Sequence, residues 1–262
     1  MIVRAAVVPS APLLVPELAG WAAAEMEPVR RAAIEAAAEL RQVGSRWLVV
    51  AGGDSASCWG PSTRGSFAGF GADVRVRLGP DDRPDRTCVD PLVPLPVLVA
   101  GWLRHEAGAD DVSIEAQILP RDASRHECAG VGTRLVSRAE RSADPIALLV
   151  VADGAATHTA RAPGTFHPGA EAFDREVATA FATGDSAALA ALEPARCAEL
   201  WADGRVGWQV LAALMSDPAE ARSRHFSAPF GVGYHVASWR RGTAAAPGRP
   251  LRKDDTCASA PR

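Results

Sequence analysis

Three short, mainly apolar runs constrain this chain more than anything else in it: IVRAAVV at 2–8, RWLVVAGG at 46–53 and PIALLVVA at 145–152. The first reads as a strand ending at Pro9, the second as a buried strand running into a glycine turn. Between them Leu18, Ala22, Met26, Val29, Ala33, Ala37 and Leu40 recur at intervals of three and four, the spacing of one helical face. Pro28 falls inside that stretch and predicts a kink or two successive helices, and Gly44 is a stop signal. A strand–helix–strand order implies a crossover and a parallel pair. The expected fold class is therefore α/β: a single three-layer, doubly wound domain with a mostly parallel central sheet.

Further strands are expected near 72–78, 112–118 and 231–238, and helices near 93–107, 124–139, 169–183, 186–192, 194–202 and 205–215. The polar, Pro-containing segment 79–90 reads as an exposed loop. The domain is expected over 1–240. The remainder, 241–262, is a Gly-, Ala- and Pro-rich tail with little to bury, expected to be disordered.

Composition narrows the function classes. With 48% hydrophobic and 23% charged residues the balance is globular, and a formal net charge of -3 gives no argument for a nucleic-acid or membrane-surface partner. Of 28 basic residues only Lys253 is a lysine, an arginine excess that, with abundant alanine, reads as the mark of a GC-rich genome rather than of phosphate recognition. Five cysteines, odd in number and never spaced CxxC, indicate neither a disulfide scaffold nor a structural zinc site. The N-terminus, broken by Pro9, Pro12 and Pro16, lacks the shape of a signal peptide, and no run reaches the ~18 apolar residues of a membrane span. The expected location is the cytoplasm.

In a doubly wound sheet ligands bind outside the carboxyl ends of the strands. That rule points to three loops: 9–17, 51–60 and 152–168. The third holds Asp153, His158 and His167. A histidine just beyond a buried strand can be a general base or metal ligand, because its ordinary pKa of ~6.5 lies near working pH; the plainer account is a loop histidine bonded to backbone. On the next segment Ala170, Phe173, Val177 and Phe181 form a helical stripe, expected to be core. The run GDSASCWG at 53–60 carries a Gly-Asp-Ser triplet like that around some esterase nucleophiles, making Ser55 a candidate. No Asp-x-x-His follows it anywhere, and the alternative is a turn in which Gly52 and Gly53 relieve backbone strain and Asp54 caps a helix. The six histidines show no HxxxH or HExxH spacing, so any metal site has to assemble from distant segments. Trp59, Trp201, Trp208 and Trp239 are either cleft-lining or core residues.

Read together, four segments resemble the class III extradiol ring-cleavage dioxygenases of the subunit-B-like superfamily and their Memo-type relatives. VVPSAPLLVPEL looks like that family's opening strand and loop, which carries Ser-His-x-Pro. RWLVVAGGD resembles its second strand, which ends in Pro-His. VVADGAATHTARAPGTFHPGAEAFDREVATAFATGD is similar to its Ser-Gly-Asp-x-Ser-His block and following helix. AELWADGRVGWQVLAALM with GVGYHVASW looks like its closing helices and last strand.

The resemblance implies a non-haem Fe(II) held by two histidines and a carboxylate, with open positions for a catecholate and dioxygen, and a further histidine as acid/base. Carried onto this sequence, the histidine ligands fall at Ser10 and Gly53, the carboxylate near Asp203 and the acid/base at His158. Serine is a poor Fe(II) ligand and glycine none. Asp54 and His235 are the residues that could substitute, and with Asp153 they complete the expected pocket lining. No protein metal ligand is expected, and Fe(II) or Zn(II) enters only if the site functions. Three readings follow: a ring-cleaving oxidoreductase with a degenerate metal site, an inactive relative that binds a small molecule (aromatic in this family) or a protein, and a serine hydrolase using Ser55. A homodimer is compatible with each.

Overall fold

The third apolar run forms the middle of the molecule. In the computed structural model, which describes residues 1–80, 88–216 and 218–242, IALLVV is a strand every residue of which is buried. Such a run has no polar face because it is covered on both sides, as a central parallel strand must be.

In chain order the strands are β1 (Ile2–Val8), β2 (Arg46–Gly53), β3 (Ser57–Trp59), β4 (Arg64–Ser66), β5 (Arg75–Arg77), β6 (Ser113–Pro120), β7 (Ile146–Val151), β8 (Pro218–Ser227) and β9 (Tyr234–Arg241). The helices are α1 (Pro16–Ala19), α2 (Ala23–Arg41), α3 (Leu95–Glu106), α4 (Arg125–Glu140), α5 (Ala170–Thr183), α6 (Ser186–Ala190), α7 (Pro194–Glu199) and α8 (Arg205–Leu214). Seven strands make one sheet in the order β3-β6-β2-β7-β1-β9-β8. Its centre, β6-β2-β7-β1, is parallel, and β3, β9 and β8 join in antiparallel pairs at the two sides. Because β7 lies between β1 and β2, the expected β1–β2 pair is parallel in direction but not adjacent.

Two apolar layers cover the sheet. Ala6, Val8, Val49 and Leu149 pack toward α2 and α3, and Ala5, Val7, Val50 and Val150 toward α4, α5 and α8. Each fully buried Val or Leu of this kind contributes roughly 1.5–3 kcal/mol. The chain is an α/β protein with a mostly parallel central sheet between helical layers, as its periodicity predicts. No helix among the described residues is long and apolar enough to cross a membrane.

Several local expectations are corrected. The break before α2 falls at Gly20, whose φ of 48° a side chain would resist; Pro28 lies inside α2, which continues through it. Of 72–78 only Arg75–Arg77 is strand, and it pairs with β4 in a separate two-stranded sheet. The strand β8 was not expected, because PAEARSRHFS is polar on both faces; its pairing with β9 makes it. Asp54 caps no helix, since β2 leads into β3. Gly52 and Gly53 serve packing: a Cβ on Gly53 would lie 2.6 Å from Ile118 Cγ2, and one on Gly52 2.8 Å from Val206 Cγ2. Most of the predicted loop (81–87) and of the predicted tail (243–262) lies outside the described residues.

Candidate functional site

The parallel strands β1, β2 and β7 deliver Ser10, Asp54 and Asp153 to one edge of the sheet, and β9, running the other way, begins there with Tyr234 and His235. The Ser10 N–H donates to Asp153 Oδ1 at 2.8 Å. The Asp153 carbonyl accepts from the Gly204 N–H at 2.9 Å, which brings the start of α8 to the same point. Burial pushes the Asp153 carboxyl up to about 7, against the Ser10 N–H, with Asp203 and Asp174 adding to the rise. The Tyr234 phenol is pushed up by burial and by Asp153.

A raised carboxyl pKa means that the folded protein holds a proton the unfolded chain has released. This contribution is fully present below the ordinary value of 3.8 and is lost as pH rises through about 7. Asp153→Asn keeps an acceptor for Ser10 and cannot titrate. Its melting temperature should exceed that of the unaltered protein at pH 8, with the gap narrowing as pH falls through about 7 and closing only below 3.8. A gap independent of pH would contradict this account of Asp153.

The second centre is built around a residue that sequence reasoning missed. Asp174 sits on the core stripe of α5, four residues after Ala170 and beside Phe173, and is 0% exposed. Its Oδ2 is 2.6 Å from His158 Nε2 and its Oδ1 2.9 Å from His235 Nε2. The Ala155 N–H adds contacts at 3.1 and 3.3 Å. Burial alone would raise this carboxyl, but hydrogen bonds and charge from His158 and His235 outweigh it and hold Asp174 below its ordinary range. A charged residue on an otherwise apolar helical stripe was the available signal.

Two backbone segments are zipped together to make this centre. The Gly154 N–H donates to Gly233 O at 2.7 Å, the Gly233 N–H to Ala155 O at 2.8 Å, and the His158 N–H to Gly231 O at 3.1 Å. Gly154 and Gly233 lie directly against the carboxylate: a Cβ on either would approach an Asp174 oxygen to 2.3 or 2.1 Å.

The two histidines differ in access. His235, expected to line the pocket, is 1% exposed. Phe226 stacks on it at 4.6 Å, and Phe181 and Trp208 meet it edge-on. Its Nε2 faces Asp174, and its Nδ1 has no hydrogen-bond partner. His158 keeps 10% of its side chain accessible. Its Nε2 likewise faces Asp174, and its Nδ1 makes no hydrogen bond among the described residues. A carboxylate that fixes tautomer and orientation while the far nitrogen stays available is the arrangement a general base requires.

Asp54 and Asp203 form a third group with Arg121, another residue not anticipated. Arg121 donates to Asp203 Oδ2 at 2.6 Å and to Asp54 Oδ1 at 2.5 Å. Burial raises the Asp203 carboxyl, Arg121 lowers it and Asp54 raises it. Arg121 and Asp203 line a cavity of about 560 Å³, and Trp201 lines it as well. Trp201 is 56% exposed and has a φ of 52°, a left-handed conformation that costs of order 1–3 kcal/mol in a bulky residue. Trp208 and Trp239 are core, packed on Phe181. Ser55 is exposed on the turn after β2, with no histidine bonded to it among the described residues.

The pieces do not fit an iron or zinc ion. Ser10 presents its N–H, Gly53 has no room for a side chain, and a guanidinium already lies between the two remaining carboxylates. Among the described residues no group of three or more His, Cys, Asp or Glu is arranged to hold a metal. The expected residues thus fall into pairs, Ser10 with Asp153, Asp54 with Asp203 through Arg121, and His158 with His235 through Asp174.

No family model and no curated protein matches the chain. Among solved structures it is similar to an uncharacterized protein of Escherichia coli K12, at 9% identity and a TM-score of 0.51, covering 90% of this chain and 99% of that one. That likeness establishes the α/β fold.

Proposed function

We propose that this chain is a class III extradiol dioxygenase-like protein of the subunit-B superfamily in which iron chemistry has been lost and binding of a small, hydroxylated aromatic molecule has been kept. The observation that carries the proposal is the pairing of His158 with a fully buried Asp174. That pair retains the acid/base position the resemblance assigns, while Ser10, Gly53 and the Arg121 bridge remove the metal positions. His158 Nδ1 is suited to accept a phenolic proton, and an Asp-backed imidazole also favours a second reading, turnover of the ligand by proton transfer alone. The four described cysteines are free, which fits a reducing, cytoplasmic setting.

The test is elemental analysis of protein purified with and without oxygen and then offered Fe(II) or Zn(II), together with catechol titration followed by tryptophan fluorescence and oxygen uptake. Metal should stay substoichiometric and oxygen uptake absent. Catechol should bind, and bind more weakly in His158→Ala. Stoichiometric iron that disappears in Asp203→Ala, with oxygen consumed on adding catechol, would replace this proposal with an active dioxygenase.

A further inference from the structure

The other end of the sheet carries a charge pattern that none of this explains. Arg4 on β1 stands directly opposite Arg240 on β9, and like charges so placed are destabilising unless something lies between them. Ser238 on β9 is opposite Arg222 on β8, and Arg224 lies two residues farther along β8. These side chains line one concave cleft of about 180 Å³, on the half of β1 remote from Ser10.

The carboxylates present do not balance it. Glu39 of α2 is shared, one oxygen 2.6 Å from Arg4 and the other bonded to Arg224. Glu220 is taken by Arg240, with one contact at 3.0 Å. Arg222 has no ion pair or hydrogen bond among the described residues. The lining thus holds four arginines against two glutamates, an excess of two positive charges. Arg4 and Arg224 are only 23% and 16% exposed, so solvent screens that excess incompletely. The Arg224 Nε–H donates to Ser238 Oγ at 2.9 Å, which leaves the hydroxyl hydrogen free to donate in turn.

We propose that this cleft binds a small tetrahedral oxyanion of the phosphate or sulfate class. Guanidinium forks and a hydroxyl donor are the groups that recognise such an ion. Glu39 holds one edge of Arg4 and of Arg224, and so orients the remaining donors. At about 180 Å³ the cleft lies below the ~300 Å³ at which pockets for drug-sized molecules begin, so it suits an ion rather than a metabolite's body. The site is independent of His158 and of the proposed aromatic ligand.

Calorimetric titration of the full chain with inorganic phosphate, at ionic strength held constant with chloride, tests the proposal. Binding should be saturable with one site, sulfate should compete, and Arg222→Ala should weaken it about tenfold, the loss of one charged hydrogen-bonding partner. Arg222 is exposed and unpartnered, so that variant should fold; Ser238→Ala, weakened by a smaller factor, is the second probe. Arg125→Ala and His158→Ala should bind as the unaltered protein does. Heat that does not saturate, or Arg222→Ala binding at full strength, would overturn the site.

Discussion

Asp174→Ala should destabilise the fold by about 3–5 kcal/mol, the usual cost of deleting one partner from a buried ionic cluster. The substitution removes the acceptor for His158, His235 and the Ala155 N–H together. His235 suffers most, because its Nδ1 is already unpartnered and no water path replaces the lost bond in a side chain 1% exposed. Asp174→Asn should cost less. Its amide keeps one acceptor and sets an N–H₂ against one imidazole, and His158, with Nδ1 free, can change tautomer to accept from it. Denaturant unfolding of the two variants gives both values. An alanine variant within ~1 kcal/mol of the unaltered protein would mean that the cluster contributes little, and the oriented-base reading of His158 would fall with it.

Gly233→Ala should also be clearly damaging, although it adds a single methyl group. The new Cβ would lie 2.1 Å from Asp174 Oδ2, closer than any real contact, and neither side can yield. Gly233 is pinned by hydrogen bonds to Gly154 and Ala155, and Asp174 is clamped between two imidazoles. Overpacking of this kind costs about 1–3 kcal/mol and sometimes more. Two comparisons make the expectation specific. Gly69→Ala, where nothing lies within 4 Å of the added atom, should be neutral to about 0.5 kcal/mol. Gly233→Ala combined with Asp174→Ala should cost clearly less than the sum of the two, because the second change removes the atoms the first one strikes. Strict additivity would show that the methyl group does its harm elsewhere.

The candidate site was legible in part. His158 drew notice as a histidine just past a buried strand, and its Nε2 lies against Asp174. Asp174 was hidden inside a stripe read as core, since spacing records which face a residue occupies and not whether the face conceals a polar cluster. Arg121 gave no signal at all. Its two partners are 67 and 82 residues away in the chain. Asp54, read as a pocket residue or else as a helix cap, is one of them. β8 escaped detection because its strand state comes from the ladder with β9 rather than from its own residues.

What the amino-acid order determined by itself was local: three apolar runs committed to strands, alanine-rich spacing committed to helices, and hence a layered α/β protein. These follow from backbone sterics and from the period at which apolar side chains repeat, and both are complete within a dozen residues. The tertiary structure alone decided that β7 separates β1 from β2, that Asp174 meets two histidines, and that a guanidinium lies between Asp54 and Asp203. Those contacts depend on strand order and register across segments far apart in the chain, and nothing in a local stretch encodes which distant partner will arrive.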